Sequence, residues 1–256
     1  MFADAHVHVG YVNCRKSDKV AYYSPRRVVG VIDRCGVDEF VVSSTSAQAS
    51  PTIKDLLKEV EEIKRVAGGR AHVFDWVTWH LFRQDRKLVS CIDGLYEGIK
   101  LHEQEGHWIE QHYDDLLAVL DIARVRQLPV QFHCGPDKYC SPARLMDIAR
   151  RYSDVRFDFA HCRPMDEMAS VIAQCDNVWT DTAYMSLDEF ARLSEFEWHH
   201  RLLFGTDIPI WVSYEDVSLT RRYRECLRGF VQTGMAEDAT EAFRTFLGDG
   251  PLVSKD

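Results

Sequence analysis

Eight short runs rich in β-branched and aromatic residues recur along this chain, and each is followed by a longer stretch with helical apolar spacing. The runs are Phe2–Val9, Glu39–Ser44, Ala71–Trp79, Gly98–His102, Pro129–His133, Val155–His161, Val178–Tyr184 and Leu202–Ile208. Their centres lie roughly 20 to 35 residues apart, room for a strand, a helix and two short loops. The intervening stretches carry helix signals. Ser24 before Pro25 opens Pro25–Cys35, and Thr52–Ala67 sets Leu56, Val60 and Ile63 at helical spacing before Gly68-Gly69. Tyr113–Gln127, Pro142–Tyr152, Asp166–Cys175 and Leu187–Trp198 follow the same logic. Strands alternating with helices predict parallel βαβ units. Eight units in 256 residues predict an α/β fold, a single (β/α)8 TIM barrel, which usually takes about 250 residues. Residues 1–256 then form one domain. A doubly wound sheet is the alternative, but its Gly-rich phosphate loop is missing.

Charge and cysteine usage narrow the partners. A net charge of -9 repels phosphate backbones and argues against nucleic acid. No apolar run approaches the ~20 residues of a bilayer span, and the first residues lack the basic and apolar regions of a signal peptide. The eight cysteines are scattered and form no CxxC pair, which reads as reduced thiols in the cytoplasm. The expected partner is a small-molecule substrate, with no membrane contact and with homo-oligomerisation left open.

Strands of a parallel sheet are buried on both faces and should be apolar. Five of the runs break that rule at their C-terminal ends, where a barrel keeps its active site. The first ends in His6-Val7-His8, the fourth in Lys100-Leu101-His102, the fifth in His133, the sixth in His161 and the eighth in Asp207. Strand alternation puts His6 and His8 on one face. Any one of these residues alone reads as a hydrogen-bonded core group, and Asp207 alone reads as a turn cap. Together they form a polar ring at the barrel mouth, and leaving such groups buried and unpaired costs a few kcal/mol each. Imidazole and carboxylate in one set suit a borderline divalent ion, zinc first, with manganese, iron or cobalt as alternatives. His80, at the end of the third run, and His102 are candidate substrate contacts. His72 begins a run and belongs to the opposite, stabilising face. His107, His112, His199 and His200 read as surface, and Cys134 and Cys162 as packing residues.

At this point the residues resemble the amidohydrolase superfamily, in particular its amidohydrolase-related family of metal-dependent barrel hydrolases. The similar stretches are Asp4-Ala5-His6-Val7-His8, Gly98-Ile99-Lys100-Leu101-His102, Pro129 to Gly135, Phe159-Ala160-His161-Cys162, Asn177 to Thr182 and Leu203 to Pro209. The resemblance implies that His6, His8, His133, His161 and Asp207 are the metal-site residues. It implies a role for Lys100 too, as a carboxylated bridge between two ions or as a free cation beside one. With one ion, His161 is implied as an acid–base group outside the ligand set.

The expected chemistry is attack by a water whose pKa a divalent metal lowers from about 15.7 towards 7. Asp207 is the expected general base, with His161 and Lys100 as further catalytic groups. The leading function is hydrolysis of a small amide, lactone or ester. The alternatives are decarboxylation or hydration of a small carboxylic acid, a metal-dependent deoxyribonuclease, and a degenerate non-catalytic barrel.

Overall fold

The structure, a computed structural model, describes residues 2–14, 19–49, 52–84, 95–210 and 218–248. The strands are β1 (Ala3–Cys14), β2 (Lys19–Tyr23), β3 (Glu39–Ser44), β4 (Ala71–Trp76), β5 (Gly98–His102), β6 (Val130–His133), β7 (Phe157–Ala160), β8 (Val178–Asp181) and β9 (Leu202–Leu203). They form one sheet in the order β2-β1-β3-β4-β5-β6-β7-β8-β9. From β1 and β3 to β9 the pairing is parallel throughout. Val7 bridges to Ile208 in parallel. The Ala5 N–H donates to Phe204 O and the His8 N–H to Ile208 O, each at 2.7 Å. Those bonds join the last strand to the first, so the eight expected runs close into the expected barrel.

The surrounding helices follow the signals in the sequence. Helix α1 (Pro25–Cys35) starts at Ser24, whose hydroxyl accepts from the Arg27 N–H, and stops at Gly36 with φ 71°. It buries Val28, Val29, Val31 and Ile32, and burial of each such side chain contributes about 1.5–3 kcal/mol. Helix α2 (Ile53–Ala67) is capped by Thr52, which accepts from the Asp55 N–H. No helix among the described residues is long and apolar enough to cross a membrane.

The structure departs from expectation in four places. The first run continues past the barrel to Cys14 and turns back antiparallel with β2. Gly10 makes that extension fit: its φ is 101°, and a Cβ there would stand 2.5 Å from Ser46 Oγ. The third run stops at Trp76, and Trp79–Gln84 is a helix (α3). His80 is therefore an exposed helical residue and not a strand end. The last strand is brief, and Asp207 follows it in a turn with φ 55°. The helix expected over Leu187–Trp198 stops at Arg192 and passes into a 3-10 turn. The chain end beyond Gly248 lies outside the described residues.

Inside the barrel the layers are sorted by polarity. Ala3, Ala5, Phe74, Trp179 and Leu203 pack with Phe243 and Phe246 of the helix Ala236–Leu247. This apolar plug seals the N-terminal end of the strands. His72 sits there beside Phe243 and bonds Glu97 at 2.6 Å, as its position in the run predicts. Above the plug lie Gln131, Asp158, Asp181 and Lys100, all buried. The polar groups that line the cavity described next lie beyond this plug.

Candidate active site

A cavity of about 220 Å³ opens at that end, lined by His6, His8, Lys100, His133, Arg163 and Asp207 among others. Three donor atoms converge on its floor. His6 Nε2 and His8 Nε2 are 3.1 Å apart. Asp207 Oδ1 lies 3.0 Å from His8 Nε2 and 3.5 Å from His6 Nε2. Ligands about 2.1 Å from a tetrahedral zinc stand about 3.4 Å from one another. The donor set therefore fits a divalent cation in spacing and in type.

Hydrogen bonds behind the imidazoles aim them at that point. His6 Nδ1 donates to Asp181 Oδ2 at 2.7 Å, which leaves the Nε2 lone pair facing the cluster. Asp181 is fixed in turn: its Oδ1 accepts the His161 N–H at 2.9 Å and the Ala183 N–H at 2.8 Å. His8 Nδ1 lies 3.0 Å from Ser43 Oγ and 3.4 Å from Ser43 O, so either tautomer has a partner. A carboxylate or carbonyl behind a ligating histidine is the usual support of a metal site.

The electrostatics run the same way. Burial pushes His8 down to about 4, against the pull of Asp207. Burial likewise holds His133 and His161 well below the ordinary imidazole range. Burial alone would raise Asp207, but the hydrogen bond with His8 and the nearby imidazoles outweigh it and keep the carboxyl below its usual range. Neutral imidazoles beside an anionic carboxylate are the protonation states that cation binding requires.

The other expected residues are placed differently. Lys100, 1% exposed, sets its Nζ 3.0 Å from His6 Nε2. Burial lowers its pKa, opposed by Asp181, Asp207 and Asp158. His133 and His161 pair with each other, Nδ1 to Nε2, at 2.9 Å. His161 Nδ1 donates to Ala183 O at 3.2 Å. These two rings form the adjoining wall beside the His6–His8–Asp207 donor set, and His161 also brings a ring nitrogen within 4.8 Å of donor atoms of His6 and Asp181, a second set that could hold an ion. His161 owes its direction to a turn with φ 76° and not to strand alternation, because β7 ends at Ala160. His102 stacks on His133 at 3.8 Å, with 13° between the rings. His80 lines a neighbouring cavity. Of the histidines read as surface, His200 is exposed, while His107, His112 and His199 are half-buried. Cys134 and Cys162 are buried as expected.

Two residues were not singled out in the sequence. Asp181 stands two residues after Trp179, which packs in the apolar plug inside the barrel, so alternation could have found it. Arg163 follows the His161 turn. Its guanidinium lies 4.9 Å over the Tyr184 ring, and its Nε has no hydrogen-bond partner among the described residues.

The sequence model of Amidohydro_2, described as Amidohydrolase, matches residues 3–228. The chain belongs to the amidohydrolase family. It is an enzyme of that superfamily, built on the family's barrel. No curated protein sequence matches it significantly. Among solved structures it is similar to a probable 2-pyrone-4,6-dicarboxylic acid hydrolase from Acinetobacter baumannii with citric acid bound. That likeness has TM-score 0.68 and 13% identity and covers 96% of this chain and 99% of that one. The IDCase of Metarhizium anisopliae is similar at TM-score 0.62 and 14% identity, over 97% of this chain and 95% of that one. A TatD-like protein from Archaeoglobus fulgidus is similar at TM-score 0.64 and 13% identity, over 96% and 99%. At these identities the likeness establishes the shared fold, and reaction and substrate have to come from the site.

Proposed function

We propose that this amidohydrolase is a metal-dependent hydrolase of a small lactone, ester or amide that carries a carboxylate. The observation that carries the reading is the convergence of His6 Nε2, His8 Nε2 and Asp207 Oδ1 within 3.5 Å of one another beneath an open cavity. Those three residues would hold one divalent cation, zinc by preference, which supplies Lewis acidity and a water of lowered pKa.

The chain's own groups do the rest. Asp207 accepts the proton of the attacking water and returns it to the leaving group. Asp181 keeps His6 in the tautomer that presents Nε2. His161, whose Nδ1–H is taken up by Ala183 O, keeps Nε2 as an acceptor, and His133, the donor in that pair, turns its Nδ1–H to the oxygen that gains charge once a substrate separates the two rings. Lys100 places a buried amine beside the same centre and assists binding of the substrate's electron-rich atoms. Arg163 offers a guanidinium whose Nε has no protein partner among the described residues, and a carboxylate is its natural complement. The substrate in the Acinetobacter relative's name, a dicarboxylate of a cyclic ester, fits the same chemistry.

The test is turnover of a panel of lactones, esters and amides, each with and without a carboxylate, with carbon dioxide release followed in parallel. The reading expects hydrolysis that stops on chelation, returns with zinc or manganese, and favours the carboxylate-bearing members. Carbon dioxide release without hydrolysis would overturn it in favour of decarboxylation.

A further inference from the structure

Asn13 and Gln48 stand at a junction: they line the metal cavity and also a second cavity of about 390 Å³ that opens beside it. The walls of this second space include Trp76, Trp79 and Trp108, with Val77 and Leu81. Trp76 belongs to both cavities. Its ring lies 5.9 Å from that of His102 and within 7° of parallel, and His102 stacks in turn on His133. A column of flat rings thus leads from the metal cavity into the second one.

Trp108 adds an independent signal. It is fully buried, yet its indole Nε1 has no hydrogen-bond partner among the described residues. Gly106, on the same wall, packs closely beside that edge, and a Cβ there would come within 2.4 Å of Nε1. A buried donor left unpaired carries a desolvation cost that an incoming acceptor offsets.

We propose that this tryptophan-walled compartment binds a planar, conjugated ring of the substrate, one that carries a hydrogen-bond acceptor within reach of Trp108. Indole faces gain most from a flat π-system at stacking distance. A saturated chain forfeits that gain. The inference rests on the reading of the neighbouring metal cavity as the reacting centre and names the class of compound it works on.

The probes are benzamide and cyclohexanecarboxamide, a neutral pair matched in size. Calorimetric titration of each into the full chain, with and without divalent metal, reads their relative affinity. Benzamide is expected to bind about 2- to 10-fold tighter, and Trp79→Leu, which keeps apolar bulk, is expected to abolish the difference. Equal affinities, or a preference that survives Trp79→Leu, would overturn the inference. On the unaltered protein, nuclear Overhauser contacts are expected between the benzamide ring protons and the indole protons of Trp79 or Trp108, and their absence overturns it as well. The preference is expected in chelated protein too, so this experiment fails separately from the hydrolase reading, which falls only on the turnover panel.

Discussion

Asp181 never touches the proposed cation, yet its replacement by asparagine should disable the site. In Asp181→Asn the side chain keeps an oxygen that can accept the His161 and Ala183 N–H groups, which now bond the carboxylate at 2.9 and 2.8 Å. The new amide NH2 then faces His6 Nδ1, where a carboxylate oxygen stood at 2.7 Å. Two donors cannot share that contact, so the imidazole moves its proton to Nε2 and loses the lone pair it presents to the cluster. Losing such a support typically costs 10- to 100-fold in metal affinity, or about 1.4–2.8 kcal/mol. At fixed excess metal the bound ion stabilises the fold by that much less. For a chain of this size the holo midpoint should fall by roughly 3–11 °C. The assay is a competition titration with a chromophoric chelator, paired with thermal unfolding of metal-free and metal-loaded protein. The metal-free midpoint should move far less than the loaded one. An Asp181→Asn variant with unchanged metal affinity and an unchanged loaded midpoint would refute the tautomer argument.

Further outcomes follow from the same geometry. Replacing His6 and His8 together by alanine should reduce bound metal to trace levels in elemental analysis and lower the thermal midpoint of the as-purified protein. Asp207→Asn should keep the barrel folded, by circular dichroism, while kcat falls about 10²- to 10⁴-fold. Arg163→Met should raise KM for carboxylate-bearing substrates about tenfold or more, with little change for their uncharged analogues. Burial raises Asp75 to about 7, above its unfolded value near 3.9. Its contribution to stability is therefore full below about pH 4 and is lost as pH rises to 7. Asp75→Asn should remove that slope, and denaturant titrations at pH 4 and pH 7 should show the variant gaining on the parent only at the higher pH.

Much of the barrel was legible because parallel strands announce themselves twice, by apolar runs and by regular spacing. The ring of His6, His8, Lys100, His133, His161 and Asp207 was legible because each polar group breaks an apolar run at its end. Its internal order was not. His133 and His161 turn towards each other at 2.9 Å, and no residue spacing encodes a pairing made between strands and fixed by a left-handed turn. His80 was misplaced because Val77-Thr78-Trp79 continues a strand-like composition while the backbone has already turned into α3. The β1–β2 hairpin was missed because Tyr11, Val12 and Asn13 keep the alternation of β1 going, and only Gly10 hints at the bend. Asp181 was readable in principle, whereas Arg163 gave no signal, since a lone arginine after a strand end is ordinary surface composition.

The most direct test of the central claim is a crystal structure of the zinc-loaded protein with anomalous data collected at the zinc edge. The account predicts one strong anomalous peak about 2.0–2.2 Å from His6 Nε2, His8 Nε2 and a carboxylate oxygen of Asp207. A peak elsewhere on the chain, or none in protein that turns over substrate, would contradict it.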